Sequence, residues 1–226
     1  MKKIIIIISM FLISSAIVSA GVQLKDYTRN NEKYYSYDIE YSKGWQLIPT
    51  DLSSYFTFVG AYGESPVNSA EATNMHNDAL RYTHFAEENK LIGANPKTEK
   101  FYGVNNREEY VSYMQKLESN KNDLVFSADW YYFDRPTKMI WLISAKQEEK
   151  AKLHQGWNLF VAPQNLDFGN CKIERAYMWN PETNKWENVP VEDLKDPDSI
   201  GLGFAVKVKN TCTLGKDETT PPELPA

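Results

Sequence analysis

The three histidines of the chain are too scattered to form a familiar metal or catalytic site. His76 and His84 lack the i, i+4 spacing of two zinc ligands on one helix face, and His154 stands alone. The sequence also lacks a G-x-S-x-G nucleophile elbow, a Walker loop and a Rossmann glycine fingerprint. We therefore predict no catalytic residues, no metal site and no cofactor.

Asp129 and Asp134 lie within "DWYYFD", and glycosidases place pairs of carboxylates beside a bound sugar. The same pattern arises without catalysis when Asp134 forms a turn and Asp129 points outward from a strand. No positioned pair of a general acid and a general base can be identified. Hydrolysis is therefore the alternative function rather than the first.

Consecutive aromatic residues in "DWYYFD" and "AYMWN" are the candidates for ligand binding. Because side chains alternate along a strand, some of these rings must point away from the core. An exposed Trp or Tyr beside Asn and Asp suits a sugar ring or the surface of another protein. We predict Trp130, Tyr132, Tyr177 and Trp179 as ligand-binding residues, with Tyr131 as the alternative to Tyr132.

The N-terminal segment, residues 1–20, has the pattern of a secretory signal peptide. "MKK" is positively charged, "IIIIISMFLISSAIV" is apolar, and "VSA" ends at Ala20 with small residues that suit cleavage. We expect a mature chain that begins at Gly21 and is extracellular, bound to the cell surface or periplasmic. An uncleaved anchor is the alternative, and no later segment resembles a membrane span.

Export changes the interpretation of the two cysteines. In an oxidising compartment, Cys171 and Cys212 are expected to form a structural disulfide, which would add roughly 4 kcal/mol of stability in the chain-entropy model. The alternative, a catalytic thiol, would need one free cysteine beside a histidine.

The composition is that of a globular protein, with 226 residues, 42% of them hydrophobic and 24% charged. The aromatic residues, Tyr 14, Phe 10 and Trp 6, favour strands. The formal net charge is −5 and no basic stripe is present, so nucleic acid is not an expected partner.

Two-residue periodicity predicts most of the strands. In "KYYSYDIEY", residues 33–41, tyrosines and Ile39 share one face. Two aromatic-rich hairpins are predicted, one around the turn "DRPT" and one around "NPETN". Further strands are expected at 44–49, 123–133, 138–144, 156–163 and 201–214.

The segment between these strands has helical character. Residues 69–93 and 105–120 carry apolar side chains at helical spacing, and Asn106 is expected to cap the second helix. Residues 145–155 form a charged connector with helical propensity. The helices could equally cover the outward aromatic residues of the strands.

One short sequence motif, which we call the Gly-Trp phrase, occurs twice, as "GWQLIP" from Gly44 and as "GWNLFVAP" from Gly156. It predicts two related β units, each beginning with this phrase. Because Trp and the Leu two residues later share a strand face, Trp45 with Leu47 and Trp157 with Leu159 are expected to fill the cores. A ligand-stacking role for the two Trp is the alternative.

"GWNLFVAP", "AYMWNPETNKWENV" and "GLGFAVKV" together resemble the small Gly-Trp-Asn-Leu β domain of exported and cell-surface proteins of bacteria and archaea. The resemblance covers residues 156–214 well, but the first half only at "GWQLIP" and the later hairpin. It implies an accessory or surface module, and that family has no shared catalytic residues.

The expected protein is mainly β (α+β), with two related antiparallel β units. These are residues 21–145, with a helical insertion at about 69–120, and residues 156–214 with the disulfide. Residues 146–155 connect them, and 215–226 form a disordered tail. The expected function is a non-catalytic secreted or cell-surface module that binds an envelope polysaccharide or a surface protein. The alternative is a secreted hydrolase, glycosidase or peptidase-like, with its site between the helical insertion and the β units.

Overall fold

The computed structural model describes residues 25–29, 32–50, 53, 55–62, 79–144 and 150–215. The predicted signal peptide, the start of the first predicted helix at 69–78 and the tail beyond residue 215 lie outside these residues. In the described part, no helix is both long and apolar enough to span a membrane.

Antiparallel strands dominate the described residues, so the predicted mainly β class is confirmed. The strands, in chain order, are β1 (Lys25–Arg29), β2 (Glu32–Tyr41), β3 (Gly44–Pro49), β4 (Phe56–Tyr62), β5 (Leu80–Phe85), β6 (Lys90–Asn95), β7 (Lys100–Tyr102), β8 (Ala128–Phe133), β9 (Thr137–Ser144), β10 (Ala151–Leu153), β11 (Gly156–Val161), β12 (Ile173–Asn180), β13 (Lys185–Val189), β14 (Gly203–Val208) and β15 (Cys212–Leu214). The helices are α1 (Arg107–Ser119) and α2 (Lys121–Leu124), with 3₁₀ turns at Val191–Lys195 and Pro197–Ser199.

The described strands pair into four sheets. Sheet A has the order β1-β2-β9-β4, and sheet B has the order β3-β8-β5-β6-β7. Sheet C has the order β11-β14-β12-β13, and β10 pairs with β15 in the small sheet D. The predicted second-half hairpin is confirmed, because β12 and β13 pair around the "NPETN" turn.

The predicted first-half hairpin is wrong. β8 pairs with β3 in sheet B, whereas β9 pairs with β2 in sheet A, so "DRPT" carries the chain from one sheet to the other. The partner pair makes the same crossing, because β2 ends at Tyr41 and β3 begins at Gly44. Two antiparallel strands therefore bend together, which is how sheets form a corner. The rings of Tyr41 and Phe133 stack at this bend, with centroids 5.8 Å apart.

The second half repeats this corner. β10 ends at Leu153 and β11 begins at Gly156, while their partners β14 and β15 are separated by a bend between Val208 and Cys212. The first corner has its bend between Phe133 and Thr137. The β8–β9 segment thus occupies in the first unit the place that β14–β15 occupies in the second.

Both corners use the same local chemistry. Gly44 and Gly156 have φ of +110° and +97°, a conformation that favours glycine. Two residues later, a buried amide closes the turn. Gln46 Nε2 donates to the Ser42 carbonyl at 3.0 Å, and Asn158 Nδ2 donates to the His154 carbonyl at 2.8 Å. The phrase that the sequence shows twice therefore forms the same turn twice.

The two halves of the chain share one hydrophobic core. Trp141 of sheet A, Tyr131 of sheet B and Phe160 of sheet C are fully or almost fully buried in it. The ring of Tyr37 lies directly on Gly201, where an added Cβ would meet it at 2.2 Å. Packing between the halves is therefore close, and no side chain can be added at Gly201 without moving it.

The first predicted helix is wrong in its described part. β5 and β6 form an antiparallel hairpin there, closed by a turn in which Asn89 has φ of +47°. Thr83 and Phe85 are buried while Tyr82 and His84 are less so, which is strand alternation. Pairing of β5 with the buried strand β8 stabilises the extended conformation, and such tertiary contacts override helical spacing.

The second predicted helix is confirmed as α1. The Asn106 side chain accepts the backbone N–H of Glu109 at 2.9 Å, as expected of an N-cap, and Glu109 accepts the backbone N–H of Asn105 at 2.8 Å. The helix packs on β5, with the Tyr113 and Phe85 ring centroids 4.9 Å apart. The predicted connector, in its described part, is not helical but contains strand β10.

Cys171 and Cys212 lie at disulfide distance, with their Cα atoms 5.0 Å apart. The bond links the loop after β11 to β15, the outer arm of the second corner. Asn170 reinforces this link, because its Oδ1 accepts the backbone N–H of Thr213 at 2.8 Å. A disulfide here is consistent with the expected export of the protein.

Candidate functional site

Aromatic side chains cover one face of sheet B. Trp45 pairs across the strands with Tyr132, and Tyr82 pairs with Trp130, so the four rings share a face. The ring centroid of Trp45 lies 5.6 Å from that of Tyr82, 6.4 Å from that of Trp130 and 5.3 Å from that of Tyr132. Trp45 is therefore the centre of this group.

The group continues across β6 to β7. The ring centroids of Tyr82 and Tyr102 are 5.4 Å apart. Gly93 of β6 is the cross-strand partner of both residues, and its lack of a side chain leaves room for the Tyr82 ring. A Cβ at Gly93 would lie 2.4 Å from Tyr82 Cδ1, so any side chain there would displace the ring. Burial raises the pKa of Tyr82, and the neighbouring Tyr102 raises it further, so the Tyr82 hydroxyl is neutral at physiological pH.

Three tryptophans join this face to sheet C. Trp179 and Trp186 are direct cross-strand partners, and their ring centroids are 5.5 Å apart. Trp130 of sheet B lies 5.2 Å from Trp179 and 5.5 Å from Trp186. All three contacts are edge-to-face, a favourable arrangement for aromatic pairs.

The backbone brings the two sheets close enough for this contact. Gly203 of β14 lies against β3, where an added Cβ would be 2.5 Å from the Leu47 carbonyl oxygen. The backbone N–H of Val161 donates to the Phe126 carbonyl at 2.8 Å, which ties the end of β11 to the approach to β8. The aromatic groups of both sheets therefore lie on one side of the molecule.

Sheet C adds a further pair of rings. Trp157 of β11 and Tyr177 of β12 are 5.8 Å apart, and Tyr177 shares its strand face with Trp179. We call the whole surface the aromatic face. It consists of Trp45, Tyr82, Tyr102, Trp130, Tyr132, Trp157, Tyr177, Trp179 and Trp186.

All four predicted ligand-binding residues lie on the aromatic face. Tyr132 is 39% exposed, whereas its alternative Tyr131 is fully buried on the other side of the sheet. Trp130, Tyr177 and Trp179 are half-buried, each against another ring of the face. The structure thus brings these residues together, and their binding role stays a prediction.

The expected burial of the two Gly-Trp phrases is only partly correct. Leu47 is buried, but Trp45 and Leu159 are half-buried and Trp157 is 37% exposed. The core side of each strand is taken by the alternate residues instead, which by strand alternation leaves Trp on the outer side. The inward residues are Gln46 and Ile48 in β3 and Asn158 and Phe160 in β11.

Sequence reasoning missed several members of the face. Trp186, 39% exposed, is the most accessible tryptophan in the described residues. A signal existed, because Trp186 lies between polar residues in the short strand "KWENV", next to the turn of a predicted hairpin. The sequence pattern favours a core position for Trp45 and Trp157, so their outward position was expected only under the alternative of ligand stacking.

Asp129 and Asp134, the two carboxylates that flank these rings in the sequence, do not form a catalytic pair on the face. Asp129 is buried on the core side of β8 and accepts the Thr50 hydroxyl at 2.9 Å, contrary to the outward position considered from the sequence. Asp134 is exposed in the bend between β8 and β9. The glycosidase arrangement considered from the sequence therefore lacks support from Asp129.

A cleft lies where the β5–β6 hairpin and α1 meet sheet C, which is where the alternative hydrolase site was expected. Its wall includes His154, whose Nε2 lies 3.0 Å from Asp123 Oδ2. The His154 backbone N–H donates to Asn158 Oδ1 at 2.9 Å. Lys116, also in the wall, binds Glu88 at 2.6 Å.

These cleft residues are used to join elements. His154 links α2 to the second corner, and Lys116 links α1 to the β5–β6 turn. Burial lowers the pKa of His84, which also lines the cleft, so this side chain is mainly neutral at physiological pH. Within the described residues, no group of three or more His, Cys, Asp and Glu side chains is placed to hold a metal ion.

No protein family model, no curated protein and no solved structure matches this chain. The resemblance to the Gly-Trp-Asn-Leu domain therefore stays a prediction. The function has to be argued from the geometry of the site.

Proposed function

We propose that the protein is an exported, non-catalytic module whose aromatic face binds an envelope polysaccharide. The observation that carries the proposal is the continuity of the rings across two sheets, through the contact of Trp130 with Trp179 and Trp186. Three rings of the face, Tyr132, Trp157 and Trp186, are exposed, and clustered exposed aromatic side chains are more typical of interaction sites than of ordinary protein surface.

The exposed rings are held in place by half-buried ones. The ring centroid of Tyr132 lies 5.3 Å from that of Trp45, and the centroid of Trp186 lies 5.5 Å from that of Trp179. The centroids of Trp157 and Tyr177 are 5.8 Å apart. Rings that are fixed before binding lose little conformational freedom when a ligand arrives. The face is therefore suited to stacking on the flat, apolar side of sugar rings.

The spacing of the exposed rings favours a polymer over a single sugar. Trp157 and Trp186 lie on the two edge strands of sheet C and four residues apart in register, which is on the order of 15 to 20 Å from strand spacing and rise. A ligand that contacts both rings must extend across the sheet. A linear polysaccharide has that form.

Polysaccharide is favoured over a protein partner because polar groups are interleaved with the rings. Asn188 and Lys207 lie on the same face of sheet C as Tyr177 and Trp157. The centre of a protein interface is depleted of charged residues, whereas sugar hydroxyls need such hydrogen-bonding groups.

The test is affinity electrophoresis through gels that contain soluble polysaccharides, with the full chain produced in an exporting bacterial host. We expect retardation by at least one polysaccharide and at least tenfold weaker binding by Trp186→Ala and Tyr132→Ala. Tyr110→Ala, which removes a half-buried ring of α1 away from the face, is the matched control and should bind normally.

Thermal unfolding of each variant checks that it is folded. Absence of retardation by every polysaccharide, together with binding to envelope extracts that protease treatment of the extract abolishes, would contradict the proposal. The aromatic face would then be a protein-binding surface.

A further inference from the structure

We infer that the polysaccharide bound by the aromatic face is anionic and carries carboxylate or phosphate groups along its chain. This inference rests on the proposed function and names the class of its ligand. It is carried by two cations, Lys207 and Arg175, that lie beside Trp157 on sheet C.

The strand register places these three side chains together. Trp157 of β11 is the direct partner of Lys207 in β14, and Lys207 is in turn the direct partner of Arg175 in β12. Direct partners share a face and have Cβ atoms about 5 Å apart. The ring contact between Trp157 and Tyr177, which is two residues after Arg175, confirms that this is the aromatic face.

The charge of this face differs from that of the whole chain. By register, β11–β14 place the charged residues Lys207 and Arg175 on the aromatic face, although the chain has a formal net charge of −5. Glu174, in the irregular part of β12, is the carboxylate that reaches Lys207 there. Glu187 lies on the opposite face, where it accepts the Asn180 amide at 2.7 Å. Sheet C thus presents rings and positive charge on one side.

The carboxylates near these cations leave them available. Glu174, at the irregular start of β12, lies 3.9 Å from Lys207 Nζ, a long contact between two exposed side chains that contributes little. Arg175 is exposed and has no carboxylate partner among the described residues. A guanidinium in this state is suited to bidentate binding of a carboxylate or phosphate.

Ring and cations together match an acidic sugar. Trp157 offers a face for the sugar ring, while Arg175 and Lys207 lie where an acidic substituent on that sugar or its neighbour would be. A neutral polysaccharide would offer no anionic group to Arg175 and would leave Lys207 with only its long contact to Glu174. Charge complementarity therefore selects the acidic polymer.

The test compares three classes of soluble polymer at low and moderate salt: a neutral glucan, a polyuronate, and a sugar polymer linked by phosphodiesters. We expect the acidic polymers to bind at least tenfold more tightly than the glucan, and this advantage to shrink as salt is added. The double variant Arg175→Gln/Lys207→Gln should lose the advantage. The two acidic arms distinguish carboxylate from phosphate recognition.

The matched control is Lys152→Gln/Lys185→Gln, which removes the same charge from exposed strand positions outside the aromatic face. Equal weakening by both double variants, or equal binding of neutral and acidic polymers, would overturn this inference and leave the proposed function intact. Binding of acidic polymers that Trp186→Ala and Tyr132→Ala leave unchanged would instead contradict the proposed function.

Discussion

The corner at Gly44 and the corner at Gly156 follow the same backbone course, yet their tryptophans have different surroundings. Each has a glycine with positive φ, a buried amide that bonds a carbonyl four residues back, and an outward Trp. Trp45 is enclosed by three rings of sheet B. Trp157 contacts Tyr177 and stays 37% exposed.

The difference comes from the neighbouring strands. β8 and β5 place Trp130, Tyr132 and Tyr82 around Trp45, whereas β14 presents Lys207 and Ala205 beside Trp157. The short phrase therefore determines the turn and the side of the strand on which Trp lies. Whether that Trp is structural or available for a ligand depends on the sequence of the partner strands.

The largest expected difference between the corners comes from the disulfide, which only the second corner has. Replacing Cys171 and Cys212 with alanine should lower the free energy of unfolding by about 4 kcal/mol, because a loop of 41 residues is no longer closed in the unfolded chain. Urea unfolding of the variant and of the oxidised protein measures this. A loss below about 1 kcal/mol would show that the second corner does not need the bond.

The second largest expected difference is in how much the two buried amides contribute to the free energy of unfolding. Asn158→Ala removes hydrogen bonds to the His154 backbone N–H, the His154 carbonyl and the Gly156 carbonyl, and should cost about 2 to 3 kcal/mol. Gln46→Ala removes one bond to Ser42 and should cost about 1 kcal/mol. The two unfolding midpoints, measured side by side, decide the order. Equal losses would mean that the two turns are energetically equivalent.

Alanine at the two tryptophans should separate stability from binding. Trp45→Ala should cost about 2 kcal/mol, because it removes ring contacts within a half-buried cluster. Trp157→Ala should cost less than about 1 kcal/mol, because the ring is more exposed, yet it should weaken polysaccharide binding. Thermal unfolding and affinity electrophoresis of the same samples provide both readouts. A larger loss of stability from Trp157→Ala than from Trp45→Ala would contradict the conclusion that Trp45 is the more structural of the two.

The smallest expected difference appears only in alkali. Tyr41 lies three residues before Gly44 and burial raises its pKa well above 10, whereas the equivalent residue of the second corner is Leu153, which does not ionise. Stability from Tyr41 is therefore present below pH 10 and is lost as pH rises, because the unfolded chain releases the proton first.

Tyr41→Phe should leave stability at pH 7 nearly unchanged and should reduce the alkaline loss. At pH 11, the difference from the original protein is expected to be about 1.4 kcal/mol. Urea unfolding at pH 7, 10 and 11 measures it. Tyr37 has a similarly raised pKa and would account for a residual alkaline slope in the variant. A variant with an unchanged slope would mean that Tyr41 already ionises in the folded protein.

Local patterns predicted the elements that local physics controls. The alternation in β2, the turn of the β12–β13 hairpin and the Asn106 cap of α1 were all readable, because each depends on neighbours within a few residues. The β5–β6 hairpin was not, because its strand conformation depends on pairing with β8, a segment far along the chain.

The site shows the same division. Alternation predicted that rings near Trp130 and Trp179 point outward, and the four predicted residues do lie on one face. The contact between Trp130 and the pair Trp179 and Trp186 depends on how sheet B meets sheet C, which no local pattern contains. The cation pair beside Trp157 likewise depends on the register of three strands.

The sequence alone determined that this chain is mainly β and that one turn motif occurs twice. It also identified the cysteine pair and the aromatic runs whose side chains had to be assigned to the core or to the surface. Only the tertiary structure decided that "DRPT" is a corner rather than a hairpin turn, and which tryptophans remain exposed. The physical reason is that a strand's periodicity fixes which residues share a face. The strands that pair with it, and the sheet that packs on it, decide whether that face is core, structural cluster or surface.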